Sequence, residues 1–560
     1  MTHLAPAGNA GAFLIIAGEE MEKVRFAIAQ TNPLVGDLKG NAEKLLEMGR
    51  QAKAAGAVFM LSPELSLCGY PPEDLVLRGE FLAACRRELE VLAARLSEAG
   101  CPPALVGFPE AADGRIYNAA AFLKEGRIAG IYRKHRLPEY GVFDEPRLFA
   151  EGADPLVIEV AGLRAGVLIC EDLWYPEPAA QAKAAGAQLL LSLNASPYSV
   201  GKEAKRLEIA RAYASAIGLP VLYANQAGGQ DELVFDGQSF ALDVNGREAV
   251  ALPAFEERLA FADFSEGRFS AEAAGSEKAS EVATVYGALK CAVRDYIGKN
   301  HFPGAIVGLS GGVDSALVLC IAADALGPER VRAVMMPTRF TADMSLEDAQ
   351  ALARNLGVRY DVIPVGGLFD AYMDLLTPYF EGKPWDATEE NIQARARGMV
   401  LMALSNKTGS LVLTTGNKSE TAVGYSTLYG DLAGGFAVIK DVLKTRVYEL
   451  CRYRNTLQDV IPERILTRAP SAELREGQKD QDSLPDYAVL DAIISAYVEK
   501  RMPREAIERL PGMTPETVRR IIALIHRSEY KRRQSPVGPK ISALGFGRDW
   551  RYPMTGRFAF

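Results

Sequence analysis

The sequence predicts an α/β protein in two parts, and three observations carry that prediction. Short β-rich segments alternate with Ala/Leu/Glu-rich helical stretches along the first half, apolar periodicity is lost between residues 264 and 276, and a strand–helix alternation resumes beyond it around the glycine-rich turn at 308–315. A length of 560 residues also exceeds one ordinary core.

From Val24 to about Pro253 the strands are expected in VRFAIAQ, AVFMLSPEL, ALVGFPE, RAGVLICED, QLLLSLNAS and PVLYANQ, with helices such as 41–56 and 79–99 between them. Turn chemistry at Glu125-Gly126 and Asn245-Gly246 predicts antiparallel hairpins, so this half should hold mixed rather than purely parallel sheets. The stretch FSEGRFSAEAAGS, 264–276, reads as a linker, and a helix is expected to open at about Glu277. From Gly304 onward AIVGLS, VRAVMMP, RYDVIPV and SLVLTTG alternate with helices, the order of a parallel sheet with crossover connections. The expected division is thus an extension at 1–21, with Met21 as an alternative start, then domains at 22–263 and 277–560 joined by the linker.

Composition narrows the function. A net charge of −8 disfavours broad attraction to nucleic acid, and a small anionic substrate fits better. Seven cysteines without CxxC pairs indicate neither a disulfide framework nor a zinc site, so a reducing cytoplasm is expected. No apolar run is long enough to span a bilayer.

Cys170 ends the apolar strand GVLIC and is followed by Glu171-Asp172, which places a thiol where a substrate can reach it. The four histidines, His3, His135, His301 and His526, give little support to a Cys-His dyad. A carboxylate can deprotonate the thiol instead, with a lysine stabilising the thiolate and the developing oxyanion. Glu64, in SPEL, and Lys134, in YRKHRLPEY, each stand at the end of a β segment, as Cys170 does.

The ordered set of PEL, KxxLP and strand-terminal CED resembles the nitrilase superfamily over roughly residues 22–262. The resemblance implies an αββα sandwich in which Glu64 is the general base, Lys134 the oxyanion stabiliser and Cys170 a thioester-forming nucleophile, with Glu145 holding the lysine. It further implies glutamine binding by Tyr140, Ser196 and Lys202, as in the glutaminase branch.

In the second half, IVGLSGGVDSAL passes from strand through glycines into a helix, so backbone N–H groups and a positive helix end face any phosphate there. No GK[ST] follows, which excludes a Walker A loop. The SGGxDS string is similar to the PP-loop of Rossmann-like ATP pyrophosphatases, which split ATP to AMP and pyrophosphate. That similarity implies ATP binding by Gly308, Ser310, Gly311, Gly312, Asp314, Ser315 and Thr415.

The strings TTGNKSETAVGYSTLYGD, ENIQARARG and GDLAGGFAVIKD resemble the synthetase domain of NAD synthetases. This implies deamido-NAD contacts by Asn391, Arg395, Glu420, Lys440, Asp441 and Lys531, and magnesium held by Asp314 and Glu420. Together the resemblances imply a glutamine-hydrolysing ligase that uses ATP and Mg²⁺, amidates deamido-NAD, passes ammonia through an internal tunnel and binds neither nucleic acid nor membrane. They also imply a homo-oligomer, a dimer through the synthetase domain with an octamer as the larger alternative. Among rivals, GMP synthetase calls for a Cys-His-Glu glutaminase and a tRNA-thiolating ligase for cysteine pairs and a basic surface, which this chain lacks. A nucleotide-sensing scaffold with relic sites would not need every catalytic position filled.

Overall fold

In the computed structural model, which describes residues 23–270, 279–478 and 480–556, the first half is built on two facing sheets. One has seven strands in the spatial order Arg268–Ser270, Arg258–Ser265, Val24–Gln30, Phe59–Leu61, Ala104–Ala112, Arg115–Lys124, Arg127–Arg133. The other has six, Glu248–Ala251, Phe240–Leu242, Val221–Asn225, Leu189–Asn194, Leu163–Ile169, Val157–Val160.

Strand periodicity sorts their side chains into layers. Phe26 and Ile28 join Phe59, Val167, Leu191 and Leu222 between the sheets, while Ala27 and Ala29 pack outward on helices Leu38–Ala54 and Gly79–Glu98. Leu190 and Tyr223 turn the opposite way, onto helices Pro176–Ala184 and Lys202–Tyr213. The result is the expected αββα sandwich. Burial on both faces explains why these strands read as continuous apolar runs rather than alternating ones.

Both expected hairpins form. Glu125 and Gly126, at φ 53° and 75°, turn Arg115–Lys124 back onto Arg127–Arg133, and Gly246, at φ 73°, lies in the turn between Phe240–Leu242 and Glu248–Ala251. The linker begins later than its composition suggests. Residues 264–270 complete an antiparallel hairpin turned at Glu266-Gly267, and Arg258–Ser265 pairs along the whole of Val24–Gln30. Only Phe269 of the three-residue strand Arg268–Ser270 is apolar, too little for a period to register in the sequence. The rest of the expected linker, and all of 1–21, lie outside the described residues except 279–280 beyond it. The helix expected near Glu277 is seen at Glu281–Lys299, capped by the Ser280 hydroxyl.

The second half carries a five-stranded parallel sheet in the order Arg359–Val362, Val331–Met335, Ala305–Gly308, Leu411–Thr414, Phe436–Ala437. Numbered along the chain this is 3-2-1-4-5, so the strand order reverses between Ala305–Gly308 and Leu411–Thr414. In open α/β sheets ligands collect at that switch point, beyond the carboxyl ends of the strands. A helical cluster centred on Leu490, Ile521 and Ile525 packs around the C-terminal end.

The halves are bonded directly. Asp295, on Glu281–Lys299, accepts from Asn32 Nδ2 at 2.8 Å and Gly229 N at 2.6 Å, and Lys299 Nζ donates to Pro33 O and Gly229 O. No described helix is long and apolar enough to cross a membrane.

Candidate active sites

The first site forms where three strands of the sandwich end. Glu64 follows Phe59–Leu61 in a loop whose Leu65 adopts φ 46°, and a Cβ on Gly107 would stand 2.2 Å from Leu65 N. Only glycine lets Ala104–Ala112 pass so close beneath the glutamate. Lys134 follows Arg127–Arg133, its N–H donating to Asn118 O at 2.8 Å. Cys170 leaves Leu163–Ile169 at φ 46°, a left-handed conformation unusual for a residue with a side chain. Asp172 holds that turn in place: it accepts from Ile169 N, from His135 N and Arg136 N, and from Tyr132 Oη at 2.9 Å.

Glu64 and Lys134 are each 1% exposed. Lys134 Nζ donates to Glu64 Oε1 at 2.7 Å and to both oxygens of Glu145 at 2.9 Å. Asn118 Nδ2 also donates to Glu64 Oε1 at 2.7 Å, Ala195 N to Glu64 Oε2 at 2.9 Å, and Tyr70 Oη to Glu145 Oε1 at 2.9 Å. Burial opposes the charge on Lys134, yet the Glu145 and Glu64 carboxylates prevail and hold the ammonium well above the ordinary lysine range. Burial pushes the Cys170 thiol well up, and Glu64 adds to it, so the resting sulfur is a thiol awaiting a base.

Around this core, Tyr140 Oη donates to Glu171 at 3.0 Å, and Lys202 places its ammonium 4.4 Å from the Trp174 ring centre. Ser196 is buried, its N–H donating to Asn225 Oδ1 and its carbonyl accepting from Arg206, which is itself ion-paired with Asp236. The structure therefore brings together Glu64, Lys134, Glu145 and Cys170, and sets Tyr140 and Lys202 about Glu171. Sequence reading passed over Glu171, Asp172 and Asn118. The first two were visible as the acidic pair after Cys170; Asn118 gave no signal.

The second site lies at the switch point of the parallel sheet. After Ala305–Gly308 the chain folds back on itself: Gly312 N donates to Ser310 Oγ, Ser310 N to Ser315 Oγ and Ser315 Oγ to Gly312 O, and helix Val313–Leu326 then begins. Gly311 adopts φ 79°, and a Cβ there would fall 2.5 Å from Ser345 O, so this turn requires glycine. Free N–H groups at the helix start are left facing a cavity of about 210 Å³ lined by Ser310, Asp314, Thr415, Glu420, Lys444 and Asp480 among others.

Lys444 bridges two carboxylates in that cavity, pairing with Asp314 Oδ2 and, at 3.3 Å, with Glu420 Oε1; Asn417 Nδ2 donates to Asp314 Oδ1 at 2.9 Å. Burial drives Glu420 up to about 8 against the pull of Lys444, with Asp314 and Asp480 adding to the rise. A second cavity of about 230 Å³ adjoins it, sharing Ser310, Thr415 and Asp431, and is walled by Gly308, Met336, Arg397, Leu401 and Val412. A flat apolar ring fits beside such walls, with phosphates at the loop.

The expected dinucleotide-binding residues are scattered. Glu420 lines the phosphate cavity, and Asn391 accepts from Thr427 Oγ1 beside the apolar one. Arg395 opens onto an adjoining groove of about 590 Å³ with Tyr372, Met399, Tyr429 and Gln534, which shares Gly398 and Ala433 with the apolar cavity. Lys531 donates to Gly424 O and Ser426 O. Lys440 and Asp441 line neither cavity: the half-buried Lys440 donates to Pro536 O, and Asp441 is enclosed by Lys418 and residues 541–542. The charge of Asp441 is met within the protein, which a bare KD in a sequence does not reveal. Lys444, Arg468 and Asp480 were missed, though Lys444 begins a helix just past the end of a strand of the parallel sheet.

No group of three His, Cys, Asp or Glu among the described residues is arranged as a metal cage. Two carboxylates beside a phosphate-facing loop still fit magnesium, which takes one or two protein oxygens and completes its shell with phosphate and water.

A sandwich amidase fused to an ATP-splitting domain defines an amide-forming ligase that carries its own ammonia source. Comparison with known proteins agrees. Residues 25–271 match the carbon-nitrogen hydrolase family and residues 285–535 the NAD synthase family. The chain is 46% identical to the glutamine-dependent NAD(+) synthetase of Acinetobacter baylyi over 95% of its length and 98% of that protein's, and 44% identical to that of Thermotoga maritima over 96% and 99%. The solved structure of the Acinetobacter baumannii glutamine-dependent NAD+ synthetase in complex with ADP superposes with a TM-score of 0.77 at 45% identity, covering 95% of this chain and 98% of that one. That of Cytophaga hutchinsonii, 22% identical, shares the fold with a TM-score of 0.82 over 95% and 97%. This chain belongs to the glutamine-dependent NAD(+) synthetases.

Proposed function

We propose that the chain converts deamido-NAD to NAD with ATP and glutamine, and that the residues above divide the work as follows. Glu64 takes the proton of Cys170, whose sulfur attacks the side-chain amide carbon of glutamine. Lys134 stabilises the tetrahedral oxyanion. Glu64 then returns the proton to the leaving nitrogen, ammonia departs, and water activated by the same carboxylate hydrolyses the thioester to glutamate. Glu171 and Tyr140 suit the α-ammonium of glutamine and Lys202 its carboxylate, since opposite charges within one enclosed site recognise a zwitterion.

In the second domain a carboxylate oxygen of deamido-NAD attacks the α-phosphorus of ATP and pyrophosphate leaves. The loop 310–315 and Lys444 hold the leaving phosphates. Asp314 and Glu420 would hold magnesium, which neutralises phosphate charge when bound. Ammonia reaching this site internally then displaces AMP to give NAD. The groove with Arg395 and Tyr429 is where we place part of the dinucleotide, and its apolar rim suits the homodimer contact, with the octamer as a larger assembly. All seven cysteines are free thiols, in keeping with a cytoplasmic enzyme.

One observation carries the reading: Lys134 is locked between Glu64 and Glu145 beside a buried cysteine, in the same chain as a phosphate-facing glycine loop. The test is NAD formation by the pure protein from deamido-NAD, ATP and magnesium, with either glutamine or ammonium. Cys170→Ala should abolish the glutamine-supported reaction and spare the ammonium-supported one. Equal loss of both sinks the division of labour.

A further inference from the structure

Lys418 is completely buried, and its ammonium has four partners: Glu499 Oε1 at 2.7 Å, Ser542 Oγ at 2.8 Å, Asp441 Oδ1 at 2.8 Å and Leu544 O at 2.9 Å. Two of the four belong to the segment 540–544, and Asp441 grips that same segment. Asp441 Oδ2 accepts from Ile541 N at 2.8 Å and Ser542 N at 2.7 Å, and Ser542 Oγ reaches both of its oxygens. A buried ion pair is costly unless its remaining valences are filled, and here the strap fills them.

The other edge of the strap hydrogen-bonds to the amidase half through its main chain. Val200 N donates to Ile541 O at 2.9 Å, and Lys540 N donates to Glu232 O at 2.8 Å. Val200 lies two residues before Lys202 and closes the turn that starts helix Lys202–Tyr213, with Gly201 at φ 78° between them. At its far end the clamp meets the ATP site, because Asn417, the residue before Lys418, donates to Asp314 Oδ1.

We propose that the Lys418–Asp441 pair is a positioning clamp for glutamine binding. From the synthetase half it fixes the strap 540–544, and the strap fixes the turn 200–201 that aims Lys202 at the glutamine site. The inference rests on the assignment of that site above. It gives Lys418 and Asp441 a role that neither cavity of the synthetase domain explains.

The test uses the full-length enzyme carrying Ser542→Ala, which removes the hydroxyl shared by Lys418 and Asp441 without stranding a charge. Losing these charge-assisted bonds should raise KM for glutamine by roughly five- to tenfold while leaving kcat with saturating ammonium within about twofold. Alkylation of Cys170 by a diazoketone analogue of glutamine, with no ATP or deamido-NAD present, should slow by a similar factor, a readout that synthetase turnover cannot influence. Lys418→Met should act in the same direction and more strongly; should it not fold, Ser542→Ala decides. Unchanged glutamine KM and alkylation in Ser542→Ala, or an equal loss with both nitrogen sources, overturns the clamp. Cys170→Ala run alongside separates the two ideas: if it retains glutamine-supported synthesis, the site assignment itself has failed.

Discussion

At its candidate site each half of the molecule places a lysine between two carboxylates, and the two arrangements are built for opposite purposes. Lys134 sits between Glu64 and Glu145, with Tyr70, Asn118 and Ala195 N supplying the remaining hydrogen bonds. Lys444 sits between Asp314 and Glu420 in an open cavity that Asp480 also lines. The first cluster is complete as it stands, so its geometry is fixed before glutamine arrives. The second stands in a cavity also lined by Asp480 and Arg468, and on the proposed function it is finished only by what ATP brings with it. On the proposed function, one site is preorganised for a neutral amide, and the other is left open for phosphate and magnesium.

That contrast can be broken most sharply at Asp314. Asp314→Asn should lower NAD formation with glutamine and with ammonium alike, by about a thousandfold, because the carboxylate that pairs with Lys444 and would hold magnesium at the phosphates is lost whatever the nitrogen source. Retained ammonium-supported activity would remove Asp314 from the site. Lys134→Met should cost glutamine-supported synthesis on the order of 10²–10³-fold and spare the ammonium reaction. It also strands two buried carboxylates, so the melting temperature should fall, in line with a loss of about 3–5 kcal/mol. An unchanged melting temperature would mean that the cluster is not the closed unit described here.

The resting state of Cys170 sharpens the comparison next. Burial and then Glu64 hold its thiol above the usual range, so the thiolate fraction in the free enzyme is small at neutral pH and grows as pH rises. Iodoacetamide labelling of Cys170, measured against Cys170→Ser as the blank, should therefore keep rising by roughly tenfold per pH unit up to and past pH 9. A plateau near neutrality would instead show a preformed thiolate and make Glu64 a spectator in proton removal.

How much of this was legible in the sequence follows from where the information resides. Strands buried on both faces announce themselves as apolar runs, so VRFAIAQ, RAGVLIC and QLLLSLN were readable, and Gly311 in SGGVDS was readable because its turn admits nothing larger. The hairpin at Glu266-Gly267 escaped because its return strand has three residues and one apolar side chain. Glu64, Lys134 and Cys170 were found through the strings around them, whereas Asn118 reaches Glu64 only through pairing between neighbouring strands. Asp441 shows the converse case. The resemblance of GDLAGGFAVIKD implied a ligand contact there, whereas in the fold its carboxylate is held by a segment distant in sequence, the strap at 541–542.

The smallest expected effects set two tyrosines against each other. Tyr70 Oη donates to Glu145 Oε1 at 2.9 Å and Tyr487 Oη to Asp480 Oδ2 at 2.8 Å, so each supports a carboxylate of its own cluster without itself carrying the chemistry. Removing one such buried hydroxyl costs about 1–2 kcal/mol, or roughly a five- to thirtyfold change if all of it reaches the rate. In the closed amidase cluster Lys134 already binds Glu145 through both oxygens, so Tyr70→Phe should lower glutamine-supported kcat only several-fold, with the ammonium reaction untouched. In the open cluster Asp480 is met by Tyr487 and Tyr425 at one wall of the phosphate cavity, so Tyr487→Phe should weaken synthesis with both nitrogen sources and do so mainly through KM for ATP. Steady-state kinetics of the two variants with each nitrogen source decide it. If Tyr487→Phe affected the glutamine reaction alone, the open cluster would belong to the amidase chemistry and the contrast between the two lysines would collapse.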